Sequence, residues 1–272
     1  MNQENNFNNN AWEKVKLSRD IRRPSSNYYI SNISDKFIEL HGDRCYGDDS
    51  AIIAGVCKID GISLVIIGIT KGDNTKENIN RNFGMPKPEG YKKSLRLMKY
   101  AEKHKMPIIC LIDTPGAYCG IEAEENGQGM AIANNLIEIC KLKVPIVSVF
   151  IGEGGSGGAL ALGIADRILM LENAIYSILS PEGFSSILWK DSSRFVEAAS
   201  VMRLTANDLK ELGIIDRIIE EPEDGAHNNR AYIAKELKKI LIQELDKLME
   251  CNLDTLLKKR YSKFRRIGIE FY

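Results

Sequence analysis

IICLIDTPGAYCG (residues 108–120) and IVSVFIGEGGSGGALALG (residues 146–163) decide the fold. Each opens on a short run of β-branched and apolar residues, IICLI or IVSVF, that reads as a buried strand. Each then passes through a glycine-containing turn into a helical pattern. Continuous apolar strands alternating with helices imply a parallel sheet covered on both faces. In such sheets ligands sit beyond the carboxyl ends of the strands. Both unusual turns, DTPGAYCG and GEGGSGG, fall at such ends.

Upstream, AIIAGV (from Ala51) and LVIIGI (from Leu64) flank Asp60-Gly61, which predicts an antiparallel hairpin. An irregular stretch follows from Lys71 to Pro88, and Leu95, Met98 and Ala101 then recur at helical spacing before Met106-Pro107. Within it, NFGMPKPEGY (from Asn82) has too many turn formers for a strand and reads as an ordered surface or ligand loop. Between the two deciding stretches, one helix is expected from about Glu124 to Cys140. Downstream, ILML (from Ile168) and IYSIL (from Ile175) read as strands. Ile233, Leu237, Ile240, Leu241, Leu245 and Leu248 then draw one apolar stripe along a long packing helix. The basic segment LKKRYSKFRRIG reads as a solvated face.

Lys plus Arg and Asp plus Glu each total 37, so no global charge invites nucleic acid or an anionic membrane surface. With 44% hydrophobic residues, the 272-residue chain can bury a sizeable core. The six cysteines form no C-x-x-C pair and no zinc-finger array, so they are expected as reduced thiols with no metal. No run of about 18 apolar residues occurs, and the start has no basic-then-apolar leader pattern, so no membrane span and a cytoplasmic location are expected. Residues 1–11 are Asn-rich and expected to be disordered.

GEGGSGGALALG carries the strongest chemistry. Gly154, Gly155, Gly157 and Gly158 around Ser156 let the backbone approach a ligand, and the helix that follows aims its amides at the same point. An anion or oxyanion cradle is one reading. A glycine-rich turn for close helix and strand packing is another. Gly154, Ser156 and Gly158 also match G-x-S-x-G, the nucleophile elbow of serine hydrolases, which would need His41, His104 or His227 as base. Asp113-Thr114-Pro115-Gly116 resembles a nucleotide switch, but no G-x-x-x-x-G-K-[ST] precedes it. Glu122, Glu124 and Glu125 suit a helix N-terminus better than catalysis.

Taken together, GDRCYGDD, RNFGMPKPEGYKKSLRLMKYAEKHKMPI, DTPGAYCGIEAEENGQ, VPIVSVFIGEGGSGGALALGIAD and SPEGFSSILWK resemble the alpha subunits of bacterial acetyl-CoA carboxylase carboxyltransferase, in order and in register. The resemblance implies an α/β, crotonase-like (ClpP/crotonase) spiral of ββα units over residues 12–268, with C-terminal helices and a short tail at 269–272. It implies carboxyl transfer from carboxybiotin, held on a biotin carboxyl carrier protein, to acetyl-CoA, giving malonyl-CoA for fatty acid synthesis. It implies an α2β2 heterotetramer with a beta subunit that carries the zinc ribbon and most of the acetyl-CoA site, and biotin carboxylase in the whole complex. By this resemblance Gly157, Gly158 and Ala159 receive the biotin oxygen. Gly116 and Ala117 form a second amide pair, and Gly154, Gly155, Ser156 and Tyr118 line the substrate. The family's longer helical N-terminal extension is replaced by MNQENNFNNN, which bears on peripheral packing.

Overall fold

The computed structural model describes residues 10–269. The chain opens with α1 (Asn10–Ser18), α2 (Ser26–Ile33), β1 (Lys36–Glu39), β2 (Ile52–Ile59) and β3 (Ile62–Ile69). Next come α3 (Thr75–Asn80), α4 (Pro88–Lys103), β4 (Ile108–Thr114), α5 (Ile121–Glu125), α6 (Gln128–Ile139) and β5 (Ile146–Gly155). They are followed by α7 (Ser156–Gly163), β6 (Arg167–Leu171), β7 (Ile175–Ser177), α8 (Pro181–Phe184), α9 (Phe195–Val201), α10 (Ala206–Glu211) and β8 (Arg217–Ile219). Two helices, α11 (Arg230–Met249) and α12 (Leu253–Arg266), complete it.

The sheet runs β1-β2-β3-β4-β5-β6-β8, with β7 beside the far end of β5. The first three strands are antiparallel and the rest parallel. Asp60 and Gly61 both take positive φ, 49° and 85°, and close the expected hairpin with Ile59 facing Ile62. Every residue of β4 is buried, which requires cover on both faces. α4, α6 and α7 pack on one another and on the sheet as one layer, and α2 with α11 supplies another. The expected stripe of α11 is buried in full. This is the ββα spiral that the resemblance implies.

Several local expectations change. The helix expected from Glu124 to Cys140 is two helices, because Gly127 takes φ 79° and starts α6 anew. On α4 the buried face comprises Tyr91, Ser94, Leu97, Met98 and Ala101, and Leu95 lies at its half-buried margin. The strand expected as IYSIL stops at Ser177. Of the Asn-rich start, residues 1–9 lie outside the described residues, as do 270–272 of the tail; Asn10 and Ala11 belong to α1. The basic C-terminal segment is more than a solvated face. Arg260 is buried and forks onto Asp166 through Nε and Nη2 (2.8 and 2.6 Å), while Nη1 donates to the carbonyls of Ile139 and Leu142 and Nη2 also to that of Val144, at and just past the end of α6.

β5 changes partners along its length. Val147 to Phe150 pair with β6, whereas Glu153, Gly154 and Gly155 pair with β7. Against β4 the register also jumps: Ile112 faces Phe150, but Thr114 faces Gly154. One residue, Asp113, therefore stands opposite three, Ile151, Gly152 and Glu153. The site begins where this interrupted ladder ends.

Candidate active site

The segment expected as a glycine loop at 152–158 is strand through Gly155 and helix from Ser156. The reversal is made in one residue, for Ser156 is left-handed at φ 55°. With Gly155 as the N-cap, the amides of Ser156, Gly157 and Gly158 have no partner inside α7. Among the described residues no side chain caps them. The helix dipole adds positive potential at the same point. Ala159 differs from the three before it: its amide is the first placed to bond back, to the Gly155 carbonyl.

The glycines have two distinct jobs. A Cβ on Gly155 would stand 2.1 Å from the Pro115 carbonyl oxygen, and one on Gly158 would stand 2.4 Å from the Ala117 nitrogen. Both positions are backbone-to-backbone contacts with the turn after β4, so the close-packing reading holds there. Gly157 is open, with Ile132 Cγ2 at 3.9 Å as its nearest neighbour. An apolar groove of about 810 Å³ begins at Ser156 and Gly157 and runs past Leu160, Tyr176, Ile178 and Phe184.

The second turn, between β4 and α5, is held by its own side chains. Thr114 Oγ1 accepts from the Gly116 amide (3.0 Å) and donates to the Gly116 carbonyl (2.7 Å), so that amide is already engaged. The Tyr118 amide donates to the Pro86 carbonyl (3.0 Å), and Gln128 Nε2 bridges the carbonyls of Pro86 and Tyr118 at 2.8 Å each. Lys87 lies over the Tyr118 ring at 5.5 Å and pairs with Glu122 at 3.2 Å. The segment expected as a surface or ligand loop thus braces this turn. Ala117 presses against Gly158, and Gly154 is covered by the Phe150 ring.

Charge gathers just behind the two turns. Lys71 Nζ reaches Asp113 Oδ1 (2.9 Å) and Glu153 Oε2 (2.7 Å), and Arg19 Nε reaches Glu153 Oε1 (2.7 Å). Arg23 donates to the Ile151 carbonyl (2.9 Å) and is clamped by buried Glu221 at 2.6 and 2.9 Å. Burial lowers the pKa of Lys71, but Asp113 and Glu153 outweigh it and hold it above the ordinary value. Burial opposes ionisation of Glu153 too, yet Lys71 and Arg19 hold its pKa below the carboxylate norm. None of Arg19, Arg23 or Lys71 was a sequence candidate. They come from segments remote in sequence, and no local pattern marks them.

The hydrolase alternative has the strained serine but no base. His41 pairs with Asp48 at 2.8 Å, His104 packs at a tilt against Tyr100 with ring centroids 4.3 Å apart, and buried His227 faces Asp20 at 4.0 Å. Among the described residues no group of three or more His, Cys, Asp or Glu could hold a metal ion, and no helix is long and apolar enough to cross a membrane.

A family model described as acetyl co-enzyme A carboxylase carboxyltransferase-like matches residues 1–268. The acetyl-coenzyme A carboxylase carboxyl transferase subunit alpha of Clostridium perfringens (strain ATCC 13124) is 62% identical over 257 residues, 94% of this chain and 95% of the relative. A Clostridium tetani relative named as subunits beta/alpha is 56% identical over 258 residues, 95% of this chain and 45% of its own length. Among solved structures, a transcarboxylase 12S chain superposes with a TM-score of 0.71 at 16% identity, over 90% of this chain and 45% of that one. This chain therefore spans less than half of the transcarboxylase chain. A Pseudomonas malonate decarboxylase hetero-tetramer in complex with coenzyme A gives a TM-score of 0.65 at 16% identity, over 84% and 93%. At such identities the structural likeness speaks for the crotonase-like fold, whereas the sequence matches extend along nearly the whole chain. The protein belongs to the acetyl co-enzyme A carboxylase carboxyltransferase-like family, as an alpha-type subunit.

Proposed function

We propose that this chain supplies the carboxybiotin side of a split active site that makes malonyl-CoA from acetyl-CoA. The observation that carries the reading is the set of amides at Ser156, Gly157 and Gly158 that have no partner within α7 and no side-chain cap, open at Gly157 toward a groove. Carboxybiotin, when its carrier protein presents it, supplies the carboxyl group and a nitrogen able to take the acetyl methyl proton. This chain's part is to hold the negative charge that develops on the ureido oxygen as the N–C bond breaks. Two preorganised amides suit that task, and loss of one such donor typically costs about 3 kcal/mol in the transition state. Gly157 and Gly158 are the first choice. The amide of Ala117, at the edge of the other turn, is the second choice, while the engaged amide of Gly116 serves the turn itself. Ser156 contributes its backbone, and Tyr118 walls the site.

The reading includes a zinc-ribbon beta subunit that holds acetyl-CoA, an α2β2 assembly, and a biotin carboxylase that reloads the carrier in the cytoplasm. The relative whose name joins beta and alpha supports a beta partner. The test is to purify the chain alone and with a candidate beta subunit, then follow malonyl-CoA from acetyl-CoA and carboxybiotin. Transfer is expected in the pair and absent from either chain alone. Robust transfer by the single chain, or none by an assembled pair, would refute the split site.

A further inference from the structure

The interrupted ladder between β4 and β5 poses a mechanical problem. Parallel strands normally hold their ends in step through evenly spaced backbone bonds, yet here one residue faces three immediately before both turns. Side chains replace the missing pairing. Asp113 Oδ1 accepts from the Glu153 amide (2.9 Å), and Arg23 donates to the Ile151 carbonyl (2.9 Å). The two carboxylates so placed, on Asp113 and Glu153, would repel one another across the gap. Among the described residues, Lys71 alone touches both, at 2.9 and 2.7 Å. Its stem is fixed in turn. Asn82, Phe83 and Gly84 take left-handed φ of 47°, 55° and 76°, and this strained turn presses on Lys71: a Cβ on Gly84 would lie 2.8 Å from Lys71 Cγ and 3.2 Å from the Asp113 carbonyl. Such strain persists only where its surroundings over-determine it.

We propose that Lys71 is a positioning residue for carboxyl transfer: by joining Asp113 to Glu153 it sets the spacing of the two turns that line the amide site, without touching the reacting atoms. The inference rests on the carboxybiotin reading of that site. Asp113 immediately precedes Thr114, which pins the second turn, and Glu153 lies two residues before Gly155. Removing the charge lets the carboxylates part and the strand ends slip. A misplacement of about 1 Å from a change outside the chemistry can lower a rate about a hundredfold. Acetyl-CoA, held mainly by the partner, should bind as before.

The experiment uses the assembled complex with its beta subunit and compares wild type, Lys71→Met and Lys71→Arg. For Lys71→Met we expect kcat per assembled complex to fall about a hundredfold with KM for acetyl-CoA unchanged. Lys71→Arg, which keeps the charge, should recover most of that loss. Faster amide exchange in Lys71→Met at residues 153–155, whose amides belong to the braced end of β5, should accompany it. If Lys71→Met does not assemble, the double variant Lys71→Met/Glu153→Gln relieves one of the stranded carboxylates and is read in the same way. A merely structural role would lower melting temperature and yield and leave kcat per assembled complex intact in either variant, and that result overturns the proposal. A wild-type complex without carboxyl transfer would instead defeat the carboxybiotin reading, whereas normal transfer by both wild type and Lys71→Met defeats only the role of Lys71.

Discussion

The turns after β4 and β5 occupy equivalent places, at the ends of neighbouring parallel strands, and are built in opposite ways. The turn after β5 leaves the first three amides of α7 without helical partners and anchors itself through charge: Glu153 is held by Lys71 and Arg19, and the Ile151 carbonyl by Arg23. The turn after β4 spends the polar groups of its tip on itself through neutral partners, the Thr114 hydroxyl and the Gln128 amide, and shares the charge network only at its base, where Asp113 meets Lys71. One is a donor surface and the other a wall. Glycine content alone does not separate them; the fate of each amide does.

The largest expected effect comes from the contact between them. Gly155→Ala puts a methyl carbon 2.1 Å from a backbone carbonyl oxygen, which no side-chain rotation relieves. Overpacking of this kind costs about 1–3 kcal/mol, and the displaced turns should lose at least about a hundredfold in carboxyl transfer. Gly116→Ala, by contrast, meets no atom within 4 Å and suffers only from its φ of 153°. Melting curves and rates of both variants compare the two turns directly. Equal damage at both positions would break the distinction between wall and donor.

Acid should act first on the turn after β5, which hangs on the ion network, and later on the tip of the turn after β4. Glu153 and Glu221 have folded pKa values below their ordinary 4.5, because nearby Lys71, Arg19 and Arg23 outweigh the cost of burial. Their contribution is therefore complete above about pH 4.5 and is lost as pH falls through the lowered folded values. Thr114 and Gln128 do not titrate. Hydrogen-exchange protection at residues 151–155 should fall before protection at 116–118 as the solution is acidified. Simultaneous loss would mean that the ion network does not hold the β5 turn separately.

What the sequence disclosed follows from the range over which its signals act. The hairpin at Asp60-Gly61, the buried strand IICLI and the stripe from Ile233 to Leu248 are local patterns, and each became the expected element. Both turns were visible at strand ends for the same reason. The break at Gly127 was not, although Asn126-Gly127 is a turn-forming pair and Gly129 follows it, because the apolar spacing on either side reads as one helix. Nor was the ion network: Arg19 and Glu153 lie 134 residues apart, Lys71 and Glu153 82 apart. Periodicity places each on its element and says nothing of their meeting. The same holds for Arg260, whose partner Asp166 lies 94 residues away.

The smallest effect on stability, and the most informative on chemistry, should come from Gly157→Ala. Its new methyl meets nothing closer than Ile132 at 3.9 Å, and the position has no positive φ to strain. Alanine is the better helix former by up to about 1 kcal/mol, so the melting temperature should hold or rise slightly. The methyl nevertheless stands on the open side of the amide row, where the ureido oxygen is expected to approach. Since no donor is deleted, carboxyl transfer should fall by less than the roughly hundredfold loss of an oxyanion donor. A slower enzyme with an unweakened fold would separate Gly157 from Gly155, whose substitution damages both. Full activity in the Gly157→Ala complex would place the ligand elsewhere, because a group accepting from these amides cannot share that space with a methyl carbon.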